Sequence, residues 1–188
     1  VLKGIMTKST IGEIEFVDER ELARYDEFNN TKVEIEDIPF CTLFERQARL
    51  NPDKTAVIAK NGKFTYSELY ETACKVANTV NDLGLVEGDK IVSLMPRVKE
   101  AYAVREGLML SGTAFVPIDP KYPDDRIESI ITDSGSKAVV TTEDIISAKK
   151  DLFEKTGVTV LDIEKIKAEG RNEAPNAKVS GSSLCYII

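Results

Sequence analysis

From residue 55 to residue 161, short apolar runs alternate with stretches whose apolar residues recur every three or four positions. Thr55 to Ala59 reads as a strand, turned by Lys60-Asn61-Gly62 into a hairpin partner at Lys63-Phe64-Thr65. Leu69, Ala73, Val76, Ala77, Val80 and Leu83 then trace one helical face, with Gly84 placed as its left-handed end. Strands follow at Lys90 to Met95, Thr113 to Val116, Lys137 to Thr141 and Val158 to Leu161. Helices are expected between them, over about Lys99 to Leu110, Asp124 to Thr132 and Ile145 to Glu154. Near-continuous apolar strands separated by helices predict an α/β fold: a mostly parallel sheet flanked by helices, with right-handed crossovers.

The flanks read differently. Residues 1–38 suggest a short strand within Glu13 to Glu19, a short helix carrying Leu22, Tyr25 and Phe28, a stop at Asn29-Asn30-Thr31 and an acidic connector. They are expected to be a linker or arm and not a domain. Thr42-Leu43-Phe44-Glu45 has the pattern of a capping box opening a helix that Asn51-Pro52 ends. Lys165 to Ser180, with Gly170, Asn172, Pro175 and Asn176, reads as a surface connector. The chain begins with valine and finishes on the apolar run Leu184-Cys185-Tyr186-Ile187-Ile188. A natural terminus inserted as a last strand and a piece of something longer both suit that run. The valine favours the piece.

Composition removes several mechanisms. The 188 residues contain no histidine, which excludes a Ser-His-Asp or Cys-His nucleophile pair and an imidazole metal site. With 25 Lys plus Arg against 32 Asp plus Glu, the net charge is −7, which argues against a surface that tracks nucleic-acid phosphates. Cys41, Cys74 and Cys185 lie far apart and form no CxxC pair, so buried thiols in a reducing, cytoplasmic compartment are expected. No apolar run reaches the roughly 20 residues a membrane span needs.

A phosphate-binding α/β sheet usually shows a glycine-rich turn, and neither GxGxxG nor GxxxxGK[ST] occurs. Thr65 and Glu68 fit a second capping box, worth about 1 kcal/mol. Pro117 and Pro120 around Asp119 read as a rigid strand exit, the prolines denying further ladder pairing and Asp119 capping the turn. Asp124-Asp125 suits a helix N-terminus, Asp133-Ser134-Gly135 a turn and Lys149-Lys150 a solvated face. No reactive site emerges from these residues alone.

Two stretches carry a resemblance. Phe64-Thr65-Tyr66-Ser67-Glu68-Leu69 resembles the first core motif of the adenylation domains of nonribosomal peptide synthetases. Gly112-Thr113-Ala114-Phe115-Val116-Pro117-Ile118-Asp119-Pro120-Lys121-Tyr122-Pro123 resembles the second, and is the more specific. Asn51 to Val57, Leu83 to Asp89 and Asp133 to Gly135 stand in the family's order, so the likeness runs from about Phe40 to the end. The departures are Met109-Leu110-Ser111 before Gly112, Phe115 in place of tyrosine, and the charged pair Arg105-Glu106.

The resemblance implies that residues 39–188 are the first lobe of the large N-terminal subdomain of an adenylate-forming enzyme. Residues 1–38 would link it to an upstream condensation domain. An intact enzyme of this kind uses ATP and Mg²⁺ to convert an amino acid to its adenylate. It then loads the acyl group on the phosphopantetheine thiol of a downstream carrier domain. The family's phosphate loop is expected beyond Ile188, so these residues are expected to hold no catalytic, cofactor-binding or metal-binding residue. Thr65, Tyr66, Glu68, Leu69, Gly112, Phe115, Pro117, Asp119, Pro120, Tyr122 and Pro123 are expected to be structural, and the fragment inactive by itself. A structural or docking module, or part of a stand-alone aminoacyl or acyl-CoA ligase, are the alternatives.

Overall fold

A computed structural model of the chain describes residues 6–8, 10–13, 17–36 and 38–188. The chain divides into two units, Val1–Glu36 and Asp37–Ile188. In the first, a 3-10 turn spans Ile11–Glu13 and helix α1 spans Glu19–Asn29. Of the stretch Glu13 to Glu19 expected to hold a strand, residues 14–16 lie outside the described residues, while Glu13 ends the 3-10 turn and Glu19 opens α1. Asp18 caps α1 through a box that the sequence reading overlooked. Its Oδ1 accepts from the Glu21 N–H at 2.9 Å, while Glu21 accepts from the Asp18 N–H at 3.2 Å. None of the α1 residues is buried.

The second unit opens with α2, Phe40–Leu50. It starts two residues before Thr42, with Pro39 at the cap position and no side-chain cap, so the expected Thr42/Glu45 box is not formed. Packing decides the start: Cys41, Phe44 and Ala48 are the buried face, and Cys41 must already be helical to join it. Strands β1 (Thr55–Ala59) and β2 (Gly62–Thr65) form the expected antiparallel hairpin. Gly62 takes φ +127°, a conformation side chains resist. Helix α3, Tyr66–Asp82, follows at once, and Gly84 (φ +76°) closes its end.

Four parallel strands build the main sheet: β3 (Lys90–Ser93), β4 (Ala114–Pro117), β5 (Ala138–Thr141) and β6 (Thr159–Asp162). Their order is β4-β3-β5-β6. The connecting helices are α4 (Lys99–Leu110), α5 (Asp124–Ser134), α6 (Glu143–Ala148) and α7 (Lys150–Thr156). The single helix expected over Ile145 to Glu154 is thus two short ones, parted at Lys149, whose ψ of 28° leaves the helical region. Lys149 is no solvated residue either: its side chain is 15% exposed and pairs with Asp124.

Both sheet faces are covered, as the apolar strands require. One face packs Ile91, Ala138 and Val140 against Val76 and Val80 of α3 and Val104 and Leu108 of α4. The other packs Val92, Val116 and Val139 against Ile127 and Ile131 of α5 and Leu152 and Phe153 of α7. A third cluster joins α2, the hairpin, α3 and α4 through Phe44, Phe64, Leu69, Ala73 and Leu110.

Part of the expected connector after Lys165 belongs to a helix, α8, Ile163–Glu169. Asp162 caps it by accepting from the Glu164 N–H at 3.0 Å, and Ile163 and Ile166 insert into the first core. The rest is strapped to α3: the Asn78 amide donates to the Arg171 and Glu173 carbonyls, both at 2.9 Å. The apolar end of the chain makes one parallel bridge, Tyr186 to Phe115, on the outer edge of β4.

Candidate functional site

In parallel α/β sheets ligands sit beyond the carboxyl ends of the strands, so those ends are where a site is expected. At β3 and β5 they are closed. The Leu94 N–H donates to Val140 O at 3.0 Å, and the fully buried Thr141 hydroxyl donates to Leu94 O at 2.6 Å. At β4 the chain leaves by the second motif. Phe115 donates to Cys185 O and accepts from the Ile187 N–H, so its polar backbone faces the outer edge. Two residues on, Pro117 has the same facing and, lacking an N–H, offers no donor to that edge. The inner edge is unaffected, because the Ile118 N–H still reaches Ser93 O at 3.0 Å. Pro117 therefore removes a donor on one side only.

Beyond it, Asp119 accepts from the Lys121 N–H at 2.9 Å through its side chain and from the Tyr122 N–H at 3.0 Å through its carbonyl. Pro120 and Pro123 stiffen this turn, and Pro123 occupies the cap position of α5. Tyr122 is exposed. Gly112 ends α4 with φ +82°, and its carbonyl accepts from the Gly88 N–H at 3.3 Å. The Phe115 ring lies 5.6 Å from that of Tyr186.

The first motif is a helix start. The Thr65 hydroxyl accepts from the Glu68 N–H at 3.2 Å, and Glu68 accepts from the Thr65 N–H at 2.8 Å. Tyr66 and Leu69 turn into the third core cluster. Among the described residues no hydrogen bond, ion pair or ring contact joins the two motifs, and their apolar residues lie in different clusters.

The departures before Gly112 are accommodated locally. The Ser111 hydroxyl donates to Leu108 O at 2.7 Å and touches the Thr113 hydroxyl at 2.8 Å, so both buried hydroxyls are partnered. Leu110 joins the third cluster, and Met109 Sδ meets Cys185 Sγ at 3.1 Å. Glu106 is different. Its side chain is 4% exposed, Arg105 binds Oε1 only, and Oε2 is buried without a partner. Burial pushes its carboxyl up, offset in part by the Arg105 hydrogen bonds.

A second buried acid is better served. Glu100, 6% exposed, accepts from Asn61 Nδ2 at 2.8 Å and Lys167 Nζ at 3.3 Å. Asn61 Oδ1 meanwhile accepts from the Lys99 N–H at 3.0 Å, capping α4, whose own cap residue Val98 offers no side-chain bond. This junction of hairpin, α4 and α8 went unseen in the sequence, where Asn61 shows only as a turn residue. Its partners lie 39 and 67 positions from Glu100, and no local pattern reports such a separation.

The cysteines are poor nucleophiles. Burial raises Cys41 and Cys185 and takes Cys74 to about 11. Among the described residues no group of three or more Cys, Asp or Glu is placed to hold a metal ion. At the ends of β3 and β5 the Leu94 N–H and the Thr141 hydroxyl already have protein partners and are not free to donate to a Mg²⁺–ATP. A cavity of about 630 Å³ lies by β6, between Leu83, Ile146, Asp162 and Arg171, and one of about 110 Å³ lies by Cys41 and Tyr70. Neither is lined by a motif residue.

The comparisons with known proteins settle what this scaffold is. Residues 44–188 match the family described as AMP-binding enzyme. The chain belongs to that family. Within it, bacitracin synthase 3 of Bacillus licheniformis is 35% identical over 86% of the chain. Gramicidin S synthase 2 of Brevibacillus brevis is 35% identical over the whole chain. The chain spans only 2% and 4% of those proteins. The nonribosomal peptide synthetase FmoA3 superposes on 94% of the chain with a TM-score of 0.86 at 26% identity, over 19% of its own length. The fold of the chain is thus that of the corresponding lobe of an adenylate-forming enzyme. Among the described residues, no helix is long and apolar enough to cross a membrane.

Proposed function

We propose that this chain is the first lobe of a nonribosomal peptide synthetase adenylation domain, residues 39–188, preceded by a linker over residues 1–38. In the parent protein an amino acid's carboxylate attacks the α-phosphate of ATP, giving an aminoacyl adenylate and pyrophosphate. The acyl group then passes to the phosphopantetheine thiol of a carrier domain. Mg²⁺ neutralises phosphate charge in such chemistry. The residues that hold it and the nucleotide are assigned to sequence beyond Ile188, so no step is routed through this chain. Its part is to present rigid strand ends. Thr65 and Glu68 start α3, Tyr66 and Leu69 anchor it, and Gly112, Phe115, Pro117, Asp119, Pro120, Tyr122 and Pro123 fix the exit of β4. A condensation domain upstream, a carrier domain downstream and a cytoplasmic setting complete the reading.

One observation carries it: the likeness to FmoA3, a synthetase also solved with α-methyl-L-serine–AMP and with AMPPNP. ATP–pyrophosphate exchange tests it. The parent module exchanges with one or a few amino acids, and the 188-residue chain with none. Exchange by the isolated chain, or none by the parent with any amino acid, refutes the assignment.

The arm supports a second role, docking to a neighbouring domain, because α1 exposes Leu22, Tyr25 and Phe28 along one side. Protease protection of the arm only when the upstream domain is added is the expected result. Equal digestion with and without it counts against the role.

A further inference from the structure

Asn61-Gly62 is the one Asn-Gly pair in the sequence. Glycine has no Cβ, so its backbone nitrogen can approach the carboxamide of the preceding residue without hindrance. In the folded chain that carboxamide is held at both ends. Oδ1 accepts from the Lys99 N–H at 3.0 Å and Nδ2 donates to Glu100 Oε2 at 2.8 Å. Swinging Asn61 Cγ onto the Gly62 nitrogen breaks both bonds. We propose that Asn61-Gly62 is a deamidation site gated by local opening: it converts only when the hairpin turn leaves α4, and the product no longer docks as the amide did.

The chemistry balances with water as the only co-reactant. The Gly62 nitrogen loses its proton and bonds to Asn61 Cγ, the Cγ–Nδ2 bond breaks, and the amide nitrogen leaves as ammonia. Water then opens the cyclic imide, adding hydroxyl to one carbonyl carbon and hydrogen to the ring nitrogen. Aspartate or isoaspartate results, with no change of oxidation state.

The consequence follows from the groups around Glu100. Lys167 Nζ contacts Glu100 at 3.3 Å and is shared with Glu164 at 3.0 Å. Lys99 Nζ lies over the Phe64 ring, 4.4 Å from its centre. An acid at position 61 keeps the acceptor for the Lys99 N–H and gains a little from the helix N-terminus. It loses the donor to Glu100 and sets two carboxylates at hydrogen-bond distance in a half-buried site. Losing a charge-assisted bond and gaining a like-charge contact is the larger effect.

The chain is incubated at mildly alkaline pH, folded and urea-unfolded, and conversion at Asn61 is followed by peptide-mapping mass spectrometry. Conversion is expected to be about ten-fold or more slower in the folded chain, since it waits on a local opening. Equal rates overturn the gating. Urea midpoints of Asn61→Asp, Glu100→Gln and the double variant test the consequence. Glu100→Gln is expected to lower the midpoint in the parent and to raise it beside Asn61→Asp. The same sign in both backgrounds overturns the repulsion.

Discussion

Gly107 offers the sharpest test of how α3 and α4 pack. It sits inside α4, and a Cβ there would lie 2.5 Å from Val76 Cβ, 2.6 Å from Ala73 O and 2.8 Å from Val76 Cγ1. Non-bonded carbons rest about 3.5–4.0 Å apart, so Gly107→Ala must part the helices by about 1 Å at this point. Two effects then oppose each other. Alanine favours a helix over glycine by about 1 kcal/mol. Overpacking a tight core costs about 1–3 kcal/mol, and here the upper part of that range applies, because Ala73 O is backbone and cannot rotate aside. The seam is also dense: Ala73, Val76, Ala77, Val80, Ala103, Val104 and Leu108 have no exposed surface. A gap of about 1 Å forfeits a quarter to a half of each contact across it. The expected net loss is about 1–2 kcal/mol, read as a lower urea midpoint by circular dichroism and a melting point lower by about 2–8 °C. Val76→Ala does not rescue it, since Val76 Cβ and Ala73 O stay where they are. Stability equal to or above the parent's would refute the close approach of α3 and α4.

Other outcomes follow from single contacts. Thr65→Ala removes one half of the α3 capping box and is expected to cost about 1 kcal/mol in thermal or urea unfolding. Glu106→Leu removes a buried oxygen without a partner and is expected to stabilise by about 1–3 kcal/mol. The two buried acids give opposite pH signatures. Glu106 is raised by burial, so its penalty is present above its folded pKa and fades as pH falls through that value; in Glu106→Leu this gain on acidification is absent. For Glu100, burial pushes upward, but hydrogen bonds from Asn61, the backbone and Lys167 bring the carboxyl below 4.5. Its contribution is present above that pH and is lost as pH falls through the folded value, which Glu100→Gln abolishes in urea titrations at stepped pH. Asn78→Ala frees the 171–173 strap and is expected to speed proteolysis between residues 170 and 180, with the helical signal unchanged.

Local signals made most of the fold legible. The hairpin at Asn61-Gly62, the start of α3 at Thr65 and the span of α4 are each written within a few residues, through turn chemistry, capping and apolar period. Elements whose reason lies elsewhere were misread. Thr42 looked like a cap, yet α2 begins earlier because Cys41 is needed in the core. Lys165 to Glu169 looked like a connector, yet Ile163 and Ile166 reach α3 and make it helical. Lys149 looked solvated until α5 and α7 brought Asp124 beside it.

The candidate site divides in the same way. The sequence by itself determined that Pro117 to Pro123 is a stiff strand exit, since proline's fixed ring and missing N–H act at their own positions. It also determined the family resemblance and the absence of histidine chemistry. Only the tertiary structure decided that Pro117 removes a donor on one edge of β4 and not the other, because which edge a backbone group faces is set by the neighbouring strand. Only it showed that Asn61 caps α4, that Glu100 shares Lys167, and that one oxygen of Glu106 is buried alone. Hydrogen bonds and desolvation depend on distance in space, and the partners here are separated along the chain by dozens of residues.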